Sequence, residues 1–574
     1  MLRFLYLLSV ILLVTFDTSA QNKKPFIESL QDKNSWVDSV FRKLNRRERI
    51  AQLFMIRAHT NRGKKFEDSV ANVIKREKIG GLVFFQGGPG RQAALLNRYQ
   101  SLSNLPLLVA MDGEWGIGMR LDSSISYPYQ MTLGAIRDDG LIYQMGSAVA
   151  KDFKRLGMQV NFAPDADVNN NPKNPVIGYR SFGDNKYNVA TKAAAYMKGM
   201  QDEGILVSIK HFPGHGDTDV DSHYDLPQLP FSKARLDSLE MYPFRELIKQ
   251  NASGVMVAHM SIPALDNTPH LPSTLSKPIV TGILKDELGF KGLIFSDAME
   301  MKGVVKYFPN GEADVRGIIA GNDVIELSQN TGRAIKLTLK AIHQKRLTWK
   351  RVNESVKKVL AAKYWAGLNN YKAIDTNNVR AYLNRPEAQL LNQSLTDAAI
   401  TVVKGANTLN SLDTKKKTAI ISLGMSELSI FQREMAANFP ASTNFLLSKI
   451  ASASDISRML QELRSYEQVI VAIHDYRLRP ASVLDYNKEL VTCIAELSKL
   501  NTITVVFANP YTIASLPGIE QSKTLMVGYQ NSSEMQRSAA KVLTGQMKAT
   551  GRLPVTINAF FKNGDGIDAT AAVK

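Results

Sequence analysis

The sequence predicts an α/β protein: an N-terminal (β/α)8 TIM-type barrel followed by a C-terminal α/β/α sandwich domain. Three observations carry that reading. Eight short apolar runs alternate with helical patterns between Ile50 and about Leu368. A polar residue stands just past each run, where barrel proteins gather their chemistry. A second alternation of strands and helices begins at Ala398.

The eight runs are Gln52–Ile56, Gly81–Phe85, Leu107–Met111, Gln159–Ala163, Leu206–Ile209, Gly254–Ala258, Gly292–Phe295 and Asp323–Leu327. Helical patterns separate them, as at Asp68–Glu77, Leu141–Leu156, Val189–Gln201 and Leu236–Lys249. The polar residues that follow are His59, Gln86, Asp112, Asp165, Lys210-His211, His259, Asp297 and Ser328. On a barrel they ring one mouth, and five of the 8 His of the chain (59, 211, 215, 223 and 259) fall on that ring. A polar helical connector, 371–396, leads to the second domain, 397–557. Its buried-strand candidates are Thr418–Leu423, Gln468–Ile473, Thr502–Ala508 and Thr524–Tyr529. Helices are expected at Ser426–Ala437, Ile456–Leu463, Asn487–Leu500 and Ser533–Leu543, and a loose tail over 558–574.

The first 20 residues have a basic n-region, an apolar stretch through Phe16 and small residues before Gln21, the pattern of a cleavable secretory signal. The apolar run is too short for a bilayer span, so the catalytic barrel is assigned to 21–370 and the chain to export, periplasmic or extracellular. With 44% hydrophobic and 22% charged residues the composition is that of a soluble enzyme. Cys493 is the only cysteine, so no intrachain disulfide forms, and its helical setting marks it as a core thiol. The net charge of +18 is scattered, and no basic–aromatic patch of the nucleic-acid kind appears. Solubility is its plain reading, with weak attraction to an anionic cell envelope as the alternative.

Lys210 to His223 reads KHFPGHGDTDVDSH, and its Gly and Pro residues read as an irregular loop delivered by the preceding strand. Three chemistries fit it. Asp221-Ser-His223 can form a dyad, in which the carboxylate fixes the imidazole tautomer and the free nitrogen moves a proton. His211-x3-His215 with Asp217, Asp219 and Asp221 can form a metal cluster, although Pro213-Gly214 breaks the helix that would align the two His. The loop can also be structural. Asp297, at the end of the run closing in Phe295-Ser296, is a candidate nucleophile or a helix cap. Asp112 and Glu114 read as strand-end carboxylates, caps or salt-bridge partners. Arg180 reads as a surface residue or as a clamp on a hydroxyl or carboxylate.

Taken together and in order, MDGE, NFAPDADVNNNPKNPVIGYRSF, KHFPGHGDTDVDSH and FSDAMEM resemble glycoside hydrolase family 3, in particular its bacterial β-N-acetylglucosaminidases. The resemblance spans about Ile50 to Leu368, and Thr550–Thr556 resembles the end of the family's C-terminal domain. It implies Asp297 as nucleophile and His223, backed by Asp221, as general acid/base. It implies Lys210, His211, Arg180 and Asp112 as residues that hydrogen-bond the terminal sugar. The implied mechanism is retaining double displacement without metal or cofactor. A neutral imidazole does not repel the carboxylate nucleophile, and its reference pKa of about 6.5 suits both steps. Relatives with a glutamate acid/base mostly take it from the second domain and favour glucosides, whereas the Asp221-Ser-His223 signature points to N-acetylglucosaminides. The sequence departs from the family at Trp115 and Ile117, where many members have Gly and Arg; Trp115 reads as an aglycone platform or as a core wall.

These features imply an exo-acting β-N-acetylhexosaminidase that releases terminal GlcNAc from peptidoglycan fragments or related glycans. A phosphorylase or β-glucosidase on the same site is the alternative within the class. An inactive glycan-binding protein and a metallohydrolase are the more distant ones.

Overall fold

The computed structural model describes residues 24–222, 224–478 and 484–572; the signal segment and His223 therefore lie outside the described residues. Two α/β parts follow each other along the chain. The first carries nine short strands: β1 (Phe54–Ala58), β2 (Gly81–Phe84), β3 (Leu108–Met111), β4 (Val160–Asn161), β5 (Leu206–Val207), β6 (Ile209–Phe212), β7 (Gly254–Val257), β8 (Leu293–Ser296) and β9 (Ile325–Glu326). They form a curled six-stranded sheet, β5-β4-β3-β2-β1-β9, and a three-stranded sheet, β6-β7-β8. All their pairings are parallel, and single bridges, Asp165–Lys210 and Phe295–Val324, join the two sheets. The predicted barrel therefore takes the form of a curled parallel α/β arrangement in two sheets rather than one closed ring.

The departure has a local cause at Ser208. The expected strand Leu206–Ile209 splits there: β5 pairs with β4, whereas β6 pairs with β7. Lys210 and His211 consequently lie within β6, not in the loop, which begins at Pro213. The first strand is shifted as well. Asn45 and Glu48 form a capping box that starts helix Arg46–Ala51, and Gln52 caps its C-terminal end. The strand begins only at Phe54. The expected helix Leu236–Lys249 is two helices, Lys233–Ser238 and Tyr242–Lys249, the second with proline in its first turn, where a missing N–H costs nothing.

Apolar residues cover both faces of these strands, as parallel sheets require. Phe162 and Phe295 meet edge to face at 5.3 Å, and both are buried. Burying each such ring contributes about 1.5–3 kcal/mol.

The second part is one mixed sheet, order β10-β15-β14-β13-β11-β12: β10 (Thr401–Lys404), β11 (Thr418–Leu423), β12 (Ser442–Leu447), β13 (Gln468–His474), β14 (Thr502–Phe507) and β15 (Thr524–Val527). Only β10 runs antiparallel to its neighbour in this sheet. β12 was not foreseen; it is a half-exposed edge strand of sequence STNFLL, with too much polar character to read as buried. The tail expected to be loose pairs back instead, with bridges Val402–Ile567 and Ala549–Ala569. Cys493 is buried in helix Lys488–Lys499, and burial pushes its thiol up to about 12. Helix Pro386–Ala399 joins the two parts, and no described helix is long and apolar enough to cross a membrane.

Candidate active site

A cavity of about 580 Å³ opens at the C-terminal ends of the first part's strands. Asp112, Arg180, Lys210, His211 and Asp297 all line it, together with Glu114, Ser222 and Glu326. His215 of the expected ring lines it too, and other members stand back from it. His59 is buried and stacked on Phe85, Asp165 is buried behind Arg180, and Ser328 donates to Asp314. His259 is buried too, and its Nε2 is 3.1 Å from the carbonyl of Ala298, beside Asp297.

One wall is a closed network of charges. Lys210 Nζ lies 2.8 Å from both Asp112 Oδ1 and Glu114 Oε1. Arg120 Nη2 donates to Asp112 Oδ2 at 2.6 Å, and Arg180 grips Glu114 through Nε at 3.0 Å and Nη2 at 2.7 Å. Burial alone would raise both carboxyls, but Lys210 with Arg120 or Arg180 outweighs it and holds them well below the usual carboxylate range. Burial likewise opposes the charge on Lys210, and Asp112 and Glu114 overcome it, so its pKa is raised. The salt-bridge reading of Asp112 and Glu114 and their place at the cavity are thus both realised. Arg180 is not a surface residue, since its side chain is only 14% exposed.

Arg180 Nη2 also donates to His211 Nε2 at 3.2 Å. A guanidinium has no acceptor, so His211 carries its proton on Nδ1, which donates to Asp167 Oδ2 at 2.7 Å. Asp167 accepts further from the backbone N–H of His215 at 2.6 Å, and despite burial these donors lower its pKa. Asp165 beside it goes the other way: burial and the Asp167 carboxylate push it well above the usual range. The segment that delivers Arg180 is held by asparagines. Asn174 Oδ1 accepts from Val176 and Ile177 N–H, its Nδ2 reaches the His215 carbonyl, and Asn169 Oδ1 accepts from Gly178 N–H.

Asp297 follows β8, and its Oδ1 accepts from the N–H of Ala298 at 2.6 Å. It does not cap the next helix, Lys302–Val305, whose N-cap is Met301. The cap alternative therefore falls away. Asp221 is half-buried and does not line the cavity, while its neighbour Ser222 does and sits 3.3 Å from His215 Nε2. Burial, with His211 nearby, lowers His215 to about 4, so it is neutral at neutral pH.

The metal cluster weighed for the loop is not assembled among its described residues. Asp217 pairs with Arg235 at 2.9 Å, and His215 Nδ1 is bonded to Thr218 Oγ1. A different trio, Asp165, Asp167 and His211, is close enough to hold an ion. Arg180, 3.8 Å from Asp165, already supplies positive charge there. Trp115 is half-buried and packs against Tyr129 at 4.9 Å and against Tyr179, which lines the cavity, at 5.8 Å.

Sequence reasoning left Arg120, Asp167 and Glu326 out of the site, and it named Glu114 and His215 without giving them a role toward the sugar. Glu114 and Asp167 stood in the quoted motifs, where a second carboxylate two positions from the first signalled a shared counter-ion. Glu326 sits inside the apolar run DVIEL, and a lone acid in a buried strand was its only signal.

A pocket of this size, lined by carboxylates and balanced by cations, can hold a small hydroxyl-rich ligand beside Asp297. Residues 46–362 match the family model described as the glycosyl hydrolase family 3 N terminal domain, more than half of the chain. The chain belongs to glycoside hydrolase family 3. It is 27% identical over 558 residues to "Beta-hexosaminidase A" of Pseudoalteromonas piscicida, covering 85% of this chain and 91% of that protein. It is 23% identical over 547 residues to "Beta-N-acetylglucosaminidase/beta-glucosidase" of Cellulomonas fimi, covering 91% and 95%. Among solved structures, the family 3 β-N-acetylglucosaminidase from Paenibacillus sp. str. FPU-7 superposes with a TM-score of 0.76 at 28% identity, covering 90% of this chain and 99% of that one.

Proposed function

We propose that this family 3 hydrolase is an exo-acting, retaining β-N-acetylglucosaminidase of peptidoglycan fragments or related glycans, exported to the periplasm or beyond. The observation that carries this reading is the position of Asp297 in the same cavity as the Lys210-centred network. Asp112, Arg180, Lys210 and His211 hold the hydroxyls of the terminal sugar. Asp297 attacks the anomeric carbon as the bond to the leaving oxygen breaks, and that oxygen takes its proton from His223. Water then gives a proton to His223 and its oxygen to the same carbon, releasing Asp297 with the configuration restored. The role of His223, backed by Asp221, rests on the sequence resemblance. The adjoining Ser222 at the cavity supports it, and the relatives named for hexosaminidase activity support the substrate.

The test uses protein from Gln21 with chromogenic β-GlcNAc and β-glucoside, in phosphate-free buffer and with phosphate. GlcNAc-selective turnover without phosphate is expected, with Asp297→Ala losing on the order of 10⁴-fold or more. Loss in His223→Ala is expected as well. Turnover that needs phosphate and yields a sugar 1-phosphate would make the enzyme a phosphorylase. Activity surviving Asp297→Ala would displace the nucleophile.

A further inference from the structure

Glu326 lines the cavity, yet the mechanism gives it no work. It is the last residue of β9 and is only 3% exposed. Its Oε1 is buried with no hydrogen-bond partner among the described residues, while its charged neighbours are Asp112, Asp297 and Lys210. A purely structural role does not explain it. An unpartnered buried carboxyl destabilises the fold, and a leucine-sized side chain would fill the same place without that cost.

The order of elements round the cavity says which part of a sugar it meets. This step rests on the reading above, in which Asp297 of β8 faces the anomeric carbon and the Asp112 network at the end of β3 faces the far hydroxyls. The two remaining ring edges then face two arcs. One arc, through β6 and the segment after β4, brings Lys210, His211 and Arg180, charged donors suited to adjacent ring substituents. The other arc, through β9, β1 and β2, brings Glu326, Arg57 and Phe85, with the Arg57 guanidinium lying 4.5 Å from the Phe85 ring centroid. Arg57 is taken up by its ion pair with Glu300, so the buried Glu326 carboxyl beside the Phe85 ring is what this arc offers, and it matches the edge with the ring oxygen and the C6 hydroxymethyl, a methylene bearing one hydroxyl.

We propose that Glu326 is a specificity-determining residue of the sugar pocket, its carboxyl hydrogen-bonding the C6 hydroxyl of the terminal sugar. Burial, and then the carboxylates of Asp112 and Asp297, raise its pKa well above the usual range. Protonated, it can both donate to that hydroxyl and accept from it.

Dissociation constants for GlcNAc, glucose and their 3-deoxy and 6-deoxy forms, from protein-observed NMR titration, test this on wild type, Glu326→Leu and Glu326→Gln. Wild type is expected to bind the parent sugars roughly tenfold more tightly than the 6-deoxy sugars. Glu326→Leu should abolish that ratio, and Glu326→Gln should keep most of it. An unchanged ratio in Glu326→Leu overturns the proposal, as does a change that follows the 3-deoxy sugar, or absence of sugar binding in wild type. Glucose and GlcNAc share C6, so a ratio that collapses in a protein inactive on GlcNAc glycosides would overturn the substrate reading and leave Glu326 in its role.

Discussion

Both parts of this protein place buried polar groups at the C-terminal ends of parallel strands, yet among the described residues it is the first that builds the large charged cavity. In the first part the groups are charges in a cavity: Asp112, Glu114, Lys210 and Arg180, with Asp297 facing them. In the second an ion pair, Asp475 with Arg477, stands beside a neutral chain of hydrogen bonds. Ser422 Oγ bonds His474 Nε2 at 3.2 Å and Ser429 Oγ at 3.0 Å, and His474 Nδ1 meets Asn531 Oδ1 at 3.0 Å. Ser422 and His474 are fully buried. A serine, an imidazole and an amide in a line resemble a hydrolytic triad on paper. Of the three, Asn531 lines a cavity, one of about 110 Å³ that is small for a sugar, so they are packing. Polar strand ends mark a site only where charge and open volume coincide.

The largest break in this comparison is Lys210→Met. It removes the cation shared by two carboxylates that each keep one arginine, so the loss should be a part of the ~3–5 kcal/mol that breaking a buried pair costs. Denaturant unfolding should show that loss. Turnover should fall by roughly 10²-fold or more, because Asp112 and Glu114 lose the geometry that holds sugar hydroxyls. A variant with wild-type stability would mean that Arg120 and Arg180 alone balance the wall.

His474→Gln is the matching change in the second sheet, and its effect should be smaller and dependent on pH. Burial, opposed only by the Asn531 hydrogen bond, lowers His474 to about 4, so it is neutral in the folded protein. The unfolded chain binds a proton on this residue below about 6.5. Its contribution is therefore complete above pH 6.5 and is lost as pH falls towards 4, by linkage a loss of order 3 kcal/mol. Glutamine should flatten this residue's share of the acid limb of a stability–pH curve without altering kcat. A fall in kcat would make the second sheet's strand ends part of the reaction.

How much of this could be read from the sequence depended on what kind of signal each feature left. Strand-end acids and bases left a local one, so Asp112, Lys210, His211 and Asp297 could be numbered and the structure brings them to one cavity. Pairings left none. Nothing near Glu114 names Arg180, 66 positions away, as its partner, and nothing at Ser208 announces that the chain changes neighbours there. Glu326 was hidden because one acid inside an apolar run looks like noise until the strand's inner face is known. β12 was hidden for the opposite reason, since an edge strand can afford a polar face.

The smallest expected effect lies where the two parts touch. Tyr511, in the second part, accepts from Asn169 Nδ2 at 3.0 Å and donates to the Asn169 carbonyl at 3.3 Å. Asn169 in turn accepts from Gly178 N–H, two residues before Arg180. The hydroxyl thus reaches the cavity-lining Arg180, proposed to bind the sugar, through one side chain and one turn. Tyr511→Phe removes two hydrogen bonds and leaves the ring, so about 1–2 kcal/mol of stability should go. A looser Arg180 weakens ground-state and transition-state binding alike, so KM should rise a few-fold, by roughly 2–5, with kcat unchanged. Steady-state kinetics on a chromogenic β-GlcNAc separates the cases. Unchanged KM would make the second part a support that the site does not feel, and a fall in kcat would mean that Arg180 acts in the chemical step.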